Sequence, residues 1–169
     1  MKKMITSVFV LLGFAINSNA QATATATATA TIVTPISITK TADMSFGNIA
    51  VQTGTGGTVI LAPAGTRTTG GAGGVTLPAT TGTVTAAAFT VNGNGSYTYA
   101  ITLPSTVTLT RVSGSETMDA TSFTSTPSGT GTLSSGTQNL TVGATLTVAA
   151  AQVAGVYNSG NFNVTVNYN

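Results

Sequence analysis

The chain has 169 residues, with five Lys and Arg against three Asp and Glu, and it contains neither His nor Cys. Without the two lysines near its start, the remaining charges cancel, so the sequence offers no basic patch for nucleic acid. The absence of His and Cys removes most nucleophile–base pairs and most transition-metal sites, and we expect no enzyme activity, no catalytic residue, no metal and no cofactor.

Residues 1–20 have the pattern of a secretory signal peptide. Lys2 and Lys3 precede the apolar run "MITSVFVLLGFAI", and the small residues Ser18 and Ala20 fit a peptidase cleavage site. The run is shorter than the roughly 20 apolar residues that a spanning helix requires. We therefore expect cleavage after Ala20 and a secreted bacterial protein, in the periplasm, on the outer surface or outside the cell, without membrane insertion after cleavage.

Residues 21–34 form an extended arm in which Ala and Thr alternate. Burying five Ala methyl groups contributes at most about 4 kcal/mol, whereas fixing some ten backbone units costs on the order of 10–20 kcal/mol. We therefore expect the arm to be loose in a lone monomer and to become a donor strand only on the sheet edge of a neighbour. The predicted strand-addition face of the arm consists of Ala22, Ala24, Ala26, Ala28, Ala30 and Ile32.

Residues 35–169 are predicted to form one all-β domain, because short runs with a period of two alternate with Gly-rich turns. The clearest strands are 97–103, 140–148 and the C-terminal strand 161–169. Within the last of these, one apolar face carries Phe162, Val164, Val166 and Tyr168. Weaker strands are predicted at 35–40, 44–51, 57–63, 74–79, 85–92 and 105–112.

The connections are predicted from Gly, Ser and Asn. The Asn-Gly pairs within 91–97 predict a hairpin turn, and a shift of the apolar register between Ala88 and Phe89 predicts a bulge. The remaining loops are predicted at 52–57, 67–74, 113–116 and 127–136. This pattern favours an antiparallel sandwich of two sheets, with a closed barrel as the alternative.

Few residues suggest a chemical site. Glu116 and Asp119 are close in sequence, but two acids are too few for calcium, and we interpret their segment as a solvated loop. Lys40 and Asp43 are interpreted as a surface ion pair at a strand end. The run "GGAGG" at 70–74 lacks the Lys and the helix of a phosphate loop, so it predicts a flexible turn.

The chain resembles a family of secreted bacterial domains of unknown function, numbered 4402, which is pilin-like. The resemblance rests on "ITKTADMSFGNI", "GTVILAPAGTRT", "GGVTLPATTGTVTAAAFTV", "YTYAITLPSTVTL", "FTSTPSGTGTLSSGTQNLTVGATLTV" and "AGVYNSGNFNVTVNY". The last strand, ending at Tyr168, is similar to that of spore-coat-like and chaperone-usher pilin subunits. The resemblance implies an immunoglobulin-like sandwich whose groove takes a strand from the next subunit. This chain differs from the better-known pilins in lacking a disulfide and in offering Ala where donor strands usually place large apolar residues.

The leading functional hypothesis is an exported structural subunit that assembles by strand addition at the cell surface. Its expected partners are copies of itself or related subunits, and the sequence leaves open whether a chaperone or an usher assists. The alternative is a secreted module that binds carbohydrate or ice. Aromatic platforms for sugars are scarce, and threonines occur in strands and loops alike rather than in an evident array. A hydrolase is disfavoured by the missing His and Cys.

Overall fold

The structure, a computed structural model, describes residues 21–169. The predicted signal peptide lies outside the described residues. All regular structure within the described range is β-strand, which confirms the all-β prediction. No helix in that part of the chain has the length and hydrophobicity needed to cross a membrane. The strands are β1 (Ser37–Ala42), β2 (Ser45–Phe46), β3 (Ala50–Val51), β4 (Gly57–Leu61), β5 (Arg67–Gly70), β6 (Val75–Thr76), β7 (Val84–Thr85), β8 (Ala87–Asn92), β9 (Thr98–Thr102), β10 (Thr106–Arg111), β11 (Thr117–Thr126), β12 (Thr130–Thr132), β13 (Thr137–Val148), β14 (Tyr157–Asn158) and β15 (Thr165–Tyr168).

One layer is a large antiparallel sheet in the order β1-β8-β13-β11-β10-β14, with β4 and β5 attached at β13. The twelve-residue strand β13 is its centre. Along one edge, the first half of β13 pairs with β8 and the second half pairs with β4. Two strands therefore use the same edge of β13 in succession, and the other edge pairs with β11.

The second layer consists of the three-stranded sheet β12-β9-β15 and the short pairs β2-β7 and β3-β6. Apolar side chains of both layers form two buried clusters. One cluster lies beneath the three-stranded sheet and includes Tyr99, Leu140 and Val166, and the other includes Phe46, Val59 and Leu146. The arrangement is a β-sandwich, as predicted.

The three clearest predicted strands are confirmed. Every inward-facing residue predicted for 140–148 is buried in β13, because a central strand is covered along its whole length. Tyr99 is fully buried in β9, whereas Tyr97 lies before the strand and is exposed. The C-terminal strand is shorter than predicted and begins at Thr165.

The hairpin predicted from the Asn-Gly pairs is wrong. Strands β8 and β9 belong to different sheets, so this loop crosses from one layer to the other. Its main chain pairs with the turn before β13, since the Gly93 N–H donates to the Gly136 carbonyl at 2.8 Å and the Gly136 N–H donates to the Gly95 carbonyl at 2.7 Å. Pairing with a distant segment, and not the local turn residues, determines the direction of the chain here.

The bulge predicted between Ala88 and Phe89 is not in their own strand. The register of β8 with β13 is unbroken, whereas the register of β1 with β8 shifts between Lys40 and Ala42. The extra residue is therefore Thr41 of β1, opposite the predicted position. Ala is small enough to face either side of a sheet, so the apparent change of phase in 85–92 was not a change of register.

Two predicted loops contain strands, and one long strand was missed. Strand β5 lies in the predicted loop 67–74, and β12 lies in 127–136. Strand β11 had no prediction, because a bulge at Ser122 breaks its alternation: the register with β13 shifts between Thr121 and Thr124, and Ser122 has φ of 49°.

Candidate functional site

A groove of about 780 Å³ lies in the second layer of the sandwich. One wall is segment 44–51, which contains β2 and β3, and the opposite wall is segment 152–159 together with Phe162. The floor is the inner face of the large sheet at β10, β11 and the end of β13. Its apolar residues include Val107, Leu109, Met118, Phe123, Leu146 and Val148.

The floor is only partly covered in the described residues. Leu146 and Val148 are buried, whereas Val107, Leu109, Met118 and Phe123 are only half-buried. The reason is topological: the three-stranded sheet packs over β8 and the first half of β13, and within residues 21–169 it does not extend over β10 and β11. Apolar side chains left half-buried on an inner sheet face favour an additional covering element, because completing their burial is energetically favourable.

Segment 44–51 presents a free main-chain edge. Strand β2 pairs only with β7, and β3 pairs only with β6, so each has one hydrogen-bonded neighbour among the described residues. The Gln52 N–H donates to the Gly74 carbonyl at 2.9 Å, while its carbonyl accepts from the Ala151 N–H at 3.0 Å. The second of these bonds joins the two walls at one end of the groove. An unpaired strand edge is a ready template for another strand.

Arg67 of β5 supports this wall. Its guanidinium donates to the carbonyls of Phe46 and Asn48, the latter at 2.8 Å, and to the Thr81 carbonyl at 3.3 Å. Gly47 lies between the two wall carbonyls with φ of 67°, a conformation that favours glycine. A permanently charged donor shared by three carbonyls holds segment 44–51 in place.

The opposite wall is held by its own side chains. Gln152 Nε2 donates to the Tyr157 hydroxyl at 2.9 Å and to the Thr117 carbonyl at 3.2 Å. The Tyr157 hydroxyl in turn donates to the Val153 carbonyl at 2.7 Å. Two apolar side chains on this wall, Val153 and Val156, are exposed. The rim therefore adds apolar surface to the half-buried floor.

Among the described residues, none of those that line the groove is charged. Arg111 and Glu116 form an ion pair at 2.6 Å across the turn between β10 and β11. The hydrogen bond from Arg111 lowers the pKa of Glu116, and the same bond raises the pKa of Arg111. The predicted surface pair is confirmed, since Lys40 Nζ lies 2.6 Å from Asp43 Oδ1 at the end of β1.

The interpretation of 116–119 as a solvated loop is wrong for Asp119. This residue is part of β11, and its carboxylate accepts a hydrogen bond from the Thr108 hydroxyl at 2.7 Å. Glu116 lies in the turn but is half-buried against Arg111. The two acids therefore have separate structural partners and do not act as a pair.

The predicted site residues fall into two groups. The arm residues with even numbers and Ile32 are exposed and lie outside any strand, and Ile32 is 94% exposed. Near the C-terminus, Val164, which precedes β15, and Val166 of β15 belong to the core of the sandwich itself. Phe162 is brought to the groove, with its ring 5.7 Å from that of Phe123.

The groove floor was largely missed by sequence reasoning, because β11 was not predicted. A signal was present in the alternation of Met118 and Ala120, followed by Phe123 and Ser125 after a shift of one residue. Period-two patterns that resume one residue out of phase are typical of a bulged strand. The sequence predicted a strand at 44–51. It did not predict that this segment has a free edge, because that depends on which other strands pair with it.

A comparison with protein families matched residues 36–168 to the family described as Domain of unknown function (DUF4402). The match spans most of the chain, and the chain belongs to this family. Comparison with curated proteins gave no match, and comparison with solved structures gave none.

Proposed function

We propose that this DUF4402 protein is an exported, pilin-like structural subunit without enzymatic activity, which assembles at the cell surface by strand addition. The arm of one copy enters the groove of another and pairs with the free edge of segment 44–51. The observation that supports this proposal is the groove itself, which combines a half-buried apolar floor with an unpaired strand edge.

The lengths of arm and groove are compatible. An extended strand rises about 3.3 Å per residue, so the ten residues of the Ala/Thr repeat span roughly 33 Å. The eight residues of the wall 44–51 span at most about 26 Å by the same measure, and the turn of the chain at Gly47, with φ of 67°, makes the wall shorter than that. The arm is therefore long enough to pair with the whole free edge.

The side chains on the inward face of the arm and on the groove floor are both apolar. Large residues from the floor and the walls, including Phe46, Met118, Phe123 and Phe162, line the groove. Ala methyl groups that enter it would be buried against these side chains, which is favourable by about 0.8 kcal/mol for each methyl group at most. The ladder on the free edge supplies the stabilisation that the methyl groups alone do not.

Substitutions at adjacent arm positions test the proposal. Ala26→Asp places an unpaired charge on the inward face, where burial is costly, whereas Thr27→Asp places the same charge on the outward face. We expect sedimentation and electron microscopy of the mature protein to show assembly lost for Ala26→Asp and kept for Thr27→Asp. Equal behaviour of the two variants would contradict strand addition.

A binding module remains the second candidate, because strand register aligns threonines that are scattered in the sequence. Two adjacent rows of mostly Thr side chains lie on the outer face of the large sheet. Asp119 interrupts one row and Ile60 interrupts the other, which makes this surface a poorer candidate than the groove. The arm variants leave this face unchanged, so a binding module would be indifferent to them. The two adjacent rows are Thr108-Asp119-Thr147-Thr58 and Thr106-Thr121-Thr145-Ile60.

A further inference from the structure

The groove is closed at one end by the main chain of its two walls. Gln52 directly follows segment 44–51, and its carbonyl accepts a hydrogen bond from the Ala151 N–H at 3.0 Å. Ala151 lies three residues after Val148, the floor residue at which β13 ends. A strand that pairs with the free edge cannot continue past Gln52 in the plane of the ladder, because Ala151 already holds the Gln52 carbonyl. We call this contact the bridge.

The concavity continues at the other end of the groove. Val107 and Phe162 line both the groove and a second cavity of about 510 Å³, whose other lining residues belong to segments 102–108 and 160–165. More than half of the residues that line this second cavity are Thr or Asn. An extended chain can therefore leave the groove past Phe162 with its main chain in a polar environment.

Segment 44–51 runs from the continuing end of the groove to the bridge. Met44 and Phe123 pack against both buried clusters, so they lie where the two clusters meet. The Phe123 ring lies 5.7 Å from the Phe162 ring. Val51, in contrast, directly precedes Gln52 at the bridge. The order of the residues along the free edge therefore gives the groove a direction.

The two ends of the arm differ in what they can fit. The C-terminal end continues through Val33 and Pro35 into a folded sandwich, where Ile36 packs against the core. The N-terminal end, Gln21 after the predicted cleavage, is a chain end and can stop at the bridge. In the reverse direction, the chain would have to turn away from the floor at the bridge and lose the pairing of the residues that make the turn.

A closed end also determines the register of the arm. From Ala22 to Thr31 the sequence repeats every two residues, so a shift by two places an identical Ala face on the floor. The side chains of the repeat therefore do not define a register. Contact of the first residue with the bridge does define one.

We propose that the bridge between Gln52 and Ala151 is a stop that sets the direction and the register of an incoming arm. The arm of a second copy lies antiparallel to segment 44–51, with Gln21 at the bridge and its C-terminal end at Phe162. Every strand pair in residues 21–169 is antiparallel, the arrangement that is slightly more stable per residue. The inference rests on the proposed strand addition, and it makes cleavage after Ala20 a condition for full seating of the arm.

Nitroxide labels on arm peptides test the direction without altering the groove. The acceptor is the full-length mature chain with Ala26→Asp, whose own arm is not expected to assemble. Synthetic peptides of residues 21–33 carry one label, at Thr23→Cys or at Thr31→Cys, on the outward face near either end. The label is unique because the chain has no natural cysteine.

The readout is the paramagnetic broadening of acceptor amide signals in NMR spectra. We expect the label at position 23 to broaden the signal of Val51 several-fold more than that of Met44, and the label at position 31 to do the opposite. Because each peptide is the control for the other, a general effect of the label is excluded.

Two Ala-Thr pairs inserted after Gln21 test the stop. They move a label at position 23 about 13 Å away from the bridge, so the broadening of Val51 should fall several-fold. The same four residues added after Val33 are the matched control, and they should leave the pattern unchanged.

The inference is overturned if the two labels give the reverse pattern or equal broadening at both ends of the groove. It is also overturned if the insertion after Gln21 changes the pattern no more than the addition after Val33. If the unlabelled peptide causes no chemical-shift change at the groove, strand addition itself is refuted, and the inference with it.

Discussion

Leu109→Ala is expected to weaken assembly more than it weakens folding. Leu109 lies on the groove floor and is only half-buried in the free protein. Removing three carbons at about 0.8 kcal/mol each, scaled by half burial, gives a loss of about 1 kcal/mol in the free energy of unfolding. A bound arm would cover the other half, so its binding should weaken by about 1 kcal/mol, or roughly fivefold in Kd.

Leu140→Ala is the matched control in the closed part of the core. Leu140 is fully buried under the three-stranded sheet and does not line the groove. Its truncation should cost about 2–5 kcal/mol in the free energy of unfolding, because a cavity is left as well. The affinity of the remaining folded molecules for an arm should not change.

The free energy of unfolding and the affinity for the arm can both be measured in a protein that begins at Val33. Urea unfolding gives the free energy of unfolding, and a synthetic peptide of residues 21–33, titrated by NMR, gives the affinity of the groove. Equal destabilisation by the two substitutions would mean that the floor is already closed in the free protein. Unchanged peptide affinity in Leu109→Ala would refute the groove as the acceptor.

Two further predictions concern stability and export. Burial raises the pKa of Tyr99. The stabilisation of the folded state by the neutral Tyr99 side chain is therefore complete below the ordinary tyrosine pKa of about 10, and it is lost as pH rises through the folded-state pKa. Thermal unfolding between pH 9 and pH 12 should therefore show a steeper alkaline decline in the wild type than in Tyr99→Phe, and parallel curves would contradict this. Mass spectrometry of the exported protein should find Gln21 as the first residue, and a chain that retains Met1 would refute the predicted cleavage.

The local pattern of the chain was sufficient to predict the class of fold. Alternation in 140–148 specified the buried face of β13 residue by residue, because a strand presents successive side chains to opposite faces whatever its partner. The ion pair between Lys40 and Asp43 could also be predicted locally, since the two residues are only three positions apart in the sequence. The alternating arm was likewise evident, because its period needs no tertiary information to be recognised.

The existence of the groove depends on the tertiary structure and could not be predicted from local sequence. Nothing local indicates that β8 and β9 belong to different layers, or that Thr41 and not Ala88 is the site of the bulge, because both depend on which distant strand is the hydrogen-bonded neighbour. The free edge at 44–51 and the open floor at Met118 are likewise properties of strand order. A sequence sets which face of each strand is apolar; pairing determines which of those faces is left uncovered.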